Sequence, residues 1–280
     1  ATVMRRAAAL LLVTIALVVT GPAPSTGATG AIIPPAGTAT DGIAPASIAG
    51  SRALPGGGWA VPVRAARPAW LDDGLLLRAR SGPIAAPAQA IADLPASGYV
   101  GIRPGSQMIA PYGCTMNFVF GSPGSYSIGT AGHCVDGVGD AVTLVTVAPG
   151  TENPVLVEIG NVTRRVENGV GADFALVSIK PELQEWVFTT IPQVLGPCGA
   201  YTGDGLTEQP VSLIKGHATL DAGEQIFHYG HGLGVGTGGT ARTGHALYWE
   251  PTAFWWAGTI VFGDSGSAAR VGTARPIGAA

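Results

Sequence analysis

From Cys114 onward, apolar residues fall in short runs separated by turn-forming residues. Thr115-Met116-Asn117-Phe118-Val119-Phe120 is one run; Gly121-Ser122-Pro123-Gly124-Ser125 turns the chain, and Tyr126-Ser127-Ile128-Gly129-Thr130 returns it. Residues 141–147, 155–159 and 174–179 are richer in β-branched side chains and alternate between apolar and polar positions. This period of two, with turn signals between runs and no long helical period, predicts an all-β sandwich or barrel.

The first third of the chain reads differently. Residues 7–20 form an apolar run behind Met4-Arg5-Arg6 and ahead of Gly21-Pro22 and a series of small residues. A basic start, a short apolar stretch and small residues beyond it make a secretory signal, with cleavage after Ala28 or Ala23. The run is too short to span a membrane, which takes about 20 apolar residues. Residues 21–113 then hold 15 Gly and 13 Pro, a density that reads as low complexity. Within them, residues 70–78 are the one patch with helical character. Residues 29–105 are expected to be a Pro/Gly/Ala-rich pro-segment or a linker.

Charge separates at the same place. Residues 1–105 carry a net +4 and residues 106–280 a net −7, giving −3 for the 280-residue chain. The missing basic excess argues against a nucleic-acid binder held by phosphate contacts. An exported chain also changes the reading of its three cysteines. In an oxidising compartment Cys114 and Cys134 can pair, which leaves Cys198 odd.

Three blocks carry chemistry: Thr130-Ala131-Gly132-His133-Cys134, Gly171-Ala172-Asp173-Phe174-Ala175-Leu176 and Gly263-Asp264-Ser265-Gly266-Ser267. A serine hydroxyl becomes a competent nucleophile when an imidazole takes its proton. The imidazole needs a carboxylate to fix its tautomer and stabilise its charged form. The chain offers His133, Asp173 and Ser265 in that order. Asp136, Asp140, Asp204 and Asp221 also lie between the histidine and the serine; Asp173 is preferred because it opens an apolar strand behind two small residues. Gly263 and Ser265 can supply a pair of main-chain N–H groups to a developing oxyanion.

These blocks resemble the chymotrypsin-like (trypsin-like) serine peptidase family, in particular its secreted bacterial branch of α-lytic protease and streptogrisins. The resemblance runs from about residue 99 to residue 267, including the cysteine some twenty residues before His133-Cys134. It implies two Greek-key β-barrels with a site in the cleft between them: an N-terminal barrel over residues 106–195 with His133 and Asp173, and a C-terminal one over residues 196–280 with Ser265. His133 would be the general base, Asp173 its orienter, Ser265 the nucleophile, Gly263 with Ser265 the oxyanion hole, and Cys114–Cys134 the bridge beside the histidine. Pro-segments are common in that branch. Thr259, six residues before Ser265, falls at the base of the primary specificity pocket and offers no carboxylate for Arg or Lys. A small to medium apolar or aromatic residue is therefore the expected substrate side chain. The implied activity is a secreted, monomeric serine endopeptidase acting on proteins or peptides, with no cofactor, no metal, no nucleic acid and no membrane attachment once residues 1–28 are removed. The alternative is a catalytically silent secreted domain of the same fold that binds a partner.

Three departures and three lesser signals complete the reading. The chain ends where the family's last strands should begin, so the second barrel is expected to be incomplete. Cys198 lacks a partner in the sequence. No Ile/Val-Val-Gly-Gly start is present, Val100-Gly101-Ile102-Arg103 being a faint counterpart, so Asp264 needs some partner other than a released amino terminus. His228, His231 and His245 could be read as metal ligands, but a Gly-rich hairpin loop with exposed histidines is the expectation. Gly234-Val235-Gly236-Thr237-Gly238-Gly239 lacks the strand-then-helix setting of a dinucleotide site. Asn161-Val162-Thr163 matches a glycosylation sequon.

Overall fold

The structure is a computed structural model that describes residues 52–53, 59–60, 67–91, 100–109, 112–168, 172–194, 206–210, 220–230, 240–250, 253–258 and 263–271. Its first elements are a small antiparallel pair, β1 (Arg52–Ala53) and β2 (Trp59–Ala60), then helix α1 (Asp73–Arg80), strand β3 (Ile84–Ala85) and the short helix α2 (Ala88–Ile91). The signal sequence expected over residues 1–28 lies outside the described residues, as do Cys198, His231, Thr259 and the glycines at 234–239.

The first large unit contains β4 (Gln107–Ile109), β5 (Gly113–Thr115), β6 (Val119–Phe120), β7 (Ser127–Thr130), β8 (Ala141–Val147), β9 (Pro154–Glu167) and β10 (Asp173–Ile179). Its antiparallel order is β5-β4-β8-β9-β10-β7-β6. The two end strands are halves of one bent run, residues 113–120. Its first half pairs with β4; past the bend, Asn117 N–H donates to Gly129 O at 2.8 Å and Gly129 N–H to Phe118 O at 2.9 Å, joining the run to β7. The sheet thus closes into a barrel, which leaves no free edge on that side.

Alternation along the strands explains the barrel's two packed faces. Met108, Leu144 and Val157, in register with one another, point inward with Val142, Ile159, Ala175 and Val177. Their neighbours Ile109, Val145 and Leu156 point outward, as a period of two requires. That outer patch is not exposed: Leu71, Ala79, Ala86 and Ala90 cover it, and β3 pairs with β9 through Ile84↔Leu156. The helix sits there because its ends are locally encoded. Asp72 caps it by accepting from Leu75 N–H at 2.7 Å, Asp73 lies in the first turn, and Arg78 and Arg80 in the last. Arg80 also reaches buried Glu158 on β9 at 3.1 Å, where Lys180 is a second cation at 3.2 Å. Part of the Pro/Gly-rich stretch is therefore packed onto the barrel wall, and its helix runs two residues beyond the expected patch.

After a 3₁₀ segment at Pro181–Trp186, β11 (Thr190–Val194) and β12 (Leu206–Pro210) form a ribbon. β13 (Gln225–Gly230), β14 (Thr240–Glu250), β15 (Ala253–Gly258) and β16 (Ala269–Val271) form an antiparallel sheet in the order β15-β14-β13-β16. Ile226, Ala246 and Leu220 make its small core, with Phe254 and Trp256 against them. The fold is all-β, with a closed first barrel; among the described residues the second unit is an open sheet.

Candidate active site

Strand register brings two of the sequence-selected residues together. β7 and β10 pair antiparallel with Thr130 opposite Ala175, so the residues two beyond Thr130 and two before Ala175 become neighbours. Those positions are Gly132 and Asp173. A 3₁₀ turn over Gly132–Cys134 follows β7 and carries His133. Gly132 fits because a Cβ there would lie 2.0 Å from Val166 O and 3.0 Å from Asp173 Oδ1.

Asp173 holds His133 from two directions. Its Oδ1 accepts the His133 main-chain N–H at 2.8 Å, and its Oδ2 lies 2.6 Å from Nδ1 of the ring. Burial alone would raise the Asp173 carboxyl. The ring hydrogen bond, the His133 charge and the His133 and Gly132 N–H groups together outweigh burial and hold it below its ordinary value of 3.8. With Nδ1 on the carboxylate, the buried Nε2 makes no hydrogen bond among the described residues, so Ser265 is not hydrogen-bonded to it in this structure. Catalytic contacts are often long before substrate binds. Arg165 braces the turn by donating from Nε to Gly132 O and Val135 O, both at 3.0 Å, and it pairs with Glu167. Sequence reasoning missed Arg165, which nothing in Arg164-Arg165 distinguishes until the strand register is known.

The Ser265 turn comes from the second unit and is pinned to the first. Thr115 N–H donates to Ser265 O at 2.8 Å and Thr115 Oγ1 to Gly263 O at 2.8 Å. Ser267 N–H closes the turn onto Asp264 O at 2.9 Å. Gly263 and Gly266 have φ of 96° and 85°, which favour glycine. At Gly266 a Cβ would also strike Thr130 Oγ1 at 2.2 Å and Thr115 O at 2.5 Å. Cys114 and Cys134 are joined by a disulfide, and Cys134 Sγ lies 3.7 Å from Ser265 O. The bridge therefore ties the segment that holds the serine turn to the segment that carries the histidine.

Comparison with solved structures finds bacterial serine proteases. Thermobifida fusca Protease A is 17% identical, with 60% of this chain and 77% of that chain covered and a TM-score of 0.37. The thermostable serine protease AL20, from an extremophilic microorganism, is 16% identical over 60% and 75%, at a TM-score of 0.35. A glutamic acid-specific serine protease, described as using a histidine triad in substrate binding, is 16% identical over 64% and 82%, at 0.34. No protein-family model and no curated protein matches the chain.

The other sequence candidates fare differently. Among the described residues, Cys114, His133 and Cys134 are the metal-ligating types that cluster, but both sulfurs are committed to the disulfide. The histidine loop needs correction at His228, which is not exposed. It is buried on β13, with Nε2 hydrogen-bonded to Ser267 Oγ and its ring 5.7 Å from that of Trp256. His245 is exposed on the paired strand, its Nδ1 3.2 Å from Gly223 O. No helix among the described residues is long and apolar enough to cross a membrane.

Proposed function

We propose that this chain is a secreted serine endopeptidase working through an acyl-enzyme, with Ser265 as nucleophile, His133 as general base and Asp173 as its orienter. The observation that carries the reading is the double hold of Asp173 on His133, beside a Gly-Asp-Ser-Gly turn fixed by Thr115. A carboxylate on Nδ1 keeps the proton there and leaves the Nε2 lone pair for the serine hydroxyl.

In this mechanism Ser265 Oγ attacks the scissile carbonyl carbon as its proton passes to His133 Nε2. The main-chain N–H groups of Gly263 and Ser265 receive the charge that develops on the carbonyl oxygen. His133 then protonates the leaving amine, the C–N bond breaks, and the acyl group stays on Ser265. Water, deprotonated by the same imidazole, hydrolyses the ester and returns the serine. Asp173 remains ionised throughout, which agrees with its lowered pKa. Side-chain preference is assigned to a pocket based at Thr259, selecting small to medium apolar or aromatic residues.

The reading is tested by hydrolysis of unfolded casein by the purified secreted protein. Turnover that vanishes in Ser265→Ala is expected. Wild-type protein that binds casein without cleaving it would favour a silent binding domain of the same fold.

A further inference from the structure

The aspartate next to the candidate nucleophile is buried. Val100–Arg103, the faint counterpart of a released amino terminus, is built into the first barrel. Gly101 N–H donates to Val147 O at 2.9 Å and Ile102 N–H to Trp186 O at 2.8 Å, with Val100 and Ile102 bridging in parallel to Val147 and Val187. Among the described residues, Gly230 of strand β13 lies against Asp264. A Cβ on Gly230 would lie 2.4 Å from Asp264 Oδ1 and 3.0 Å from His228 Cε1, so the carboxylate and the imidazole both border the space over that glycine. His228 and Gly230 are two residues apart and share a face.

The imidazole is bonded to the turn at Ser267. His228 Nε2 is hydrogen-bonded to Ser267 Oγ, while Ser267 N–H closes the turn onto Asp264 O. Packing fixes the ring itself: it is 4% exposed, tilted against Trp256, and its strand pairs on both sides, opposite Arg242 on β14 and Ala269 on β16. Ser265 lies two residues before Ser267, inside the turn that Ser267 N–H closes.

We propose that His228 is a positioning residue: it braces the Ser265 turn from the second sheet through its hydrogen bond to Ser267, the residue whose N–H closes the turn onto Asp264 O. This inference rests on Ser265 being the nucleophile. Its chemical content is geometric. Main-chain N–H groups at Gly263 and Ser265 stabilise an oxyanion only if the turn is held before the charge develops. Loosening the brace should weaken binding of the tetrahedral state and leave ground-state substrate binding alone.

The experiment uses the full secreted chain and two readings in series. Fluorophosphonate labelling of wild-type protein at Ser265 comes first; its absence overturns the nucleophile assignment and the inference with it. With labelling established, kcat per labelled site, KM and the inhibition constant of a peptide boronic acid are measured for H228A, S267A and the double variant. H228A should lose about tenfold or more in kcat and in boronate affinity at unchanged KM. S267A should lose about threefold, and the double variant no more than H228A alone, because both act through one contact. Labelled wild type with kcat and boronate affinity unchanged in H228A overturns the inference and leaves the nucleophile assignment standing. Should H228A fail to fold, S267A decides: unchanged kcat per labelled site overturns the brace.

Discussion

Thr115 donates its main-chain N–H to the carbonyl of Ser265 at 2.8 Å, and its hydroxyl to the carbonyl of Gly263. One residue of the first barrel thus fixes both ends of a three-residue turn in the second unit. Because Thr115 follows Cys114, and Cys114 is bonded to the residue after His133, serine turn and histidine turn share one anchor.

Thr115→Val keeps the N–H bond and shape but removes the donor to Gly263 O. The buried carbonyl then goes unsatisfied, costing about 1–3 kcal/mol. Casein turnover should fall about tenfold with little change in KM, on the scale of losing support for an oxyanion donor. A steady-state comparison with wild type checks this.

Asp173→Asn should lower kcat by about 10³–10⁴-fold, since an amide no longer holds the productive tautomer. The pH dependence has a defined sign. The Asp173 pKa is lowered in the fold, so its contribution to stability is present above the ordinary value of 3.8 and is lost as pH falls through the lower folded value. The stability gap between wild type and Asp173→Asn should be constant near neutrality and close in acid below pH 3.8. Urea unfolding at several pH values measures it.

Removing the Cys114–Cys134 bridge should cost about 3 kcal/mol, the loop-closure value for a separation of 20 residues. It should also slow Ser265 acylation, because the anchor of the turn loses its tie to the histidine segment. The Cys114→Ser/Cys134→Ser double variant, compared in urea and by acylation rate, tests both effects.

Much of this architecture was legible in the sequence for local reasons. β8 spans the same residues, 141–147, that the β-branched alternation marks, and His133 and Ser265 sit in blocks whose glycines have steric causes at Gly132 and Gly266. Partnerships set by long-range register were not legible. Residues 113–120 read as one strand, but the bend that closes the barrel depends on β4 and β7 pairing with its two halves. His228 read as a loop histidine because glycines surround its segment; β14 and β16 on either side bury it. Proline and glycine likewise masked the packing of residues 67–91, whose apolar positions make sense only against Ile109, Val145 and Leu156.

That packing makes a prediction of its own. Ala79 is fully buried between helix α1 and the barrel's outer face. Ala79→Asp buries an unpaired charge there and should destabilise the chain by about 3–5 kcal/mol, lowering the urea midpoint, whereas Leu77→Asp, at an exposed position of the same helix, should change stability by less than about 0.5 kcal/mol.

The most direct test of the central claim is fluorophosphonate labelling of the purified protein, followed by peptide mapping. A single adduct on Ser265, abolished by His133→Ala, is the predicted result. An adduct elsewhere, or one on Ser265 that forms as fast in His133→Ala, would contradict the pairing of nucleophile and base.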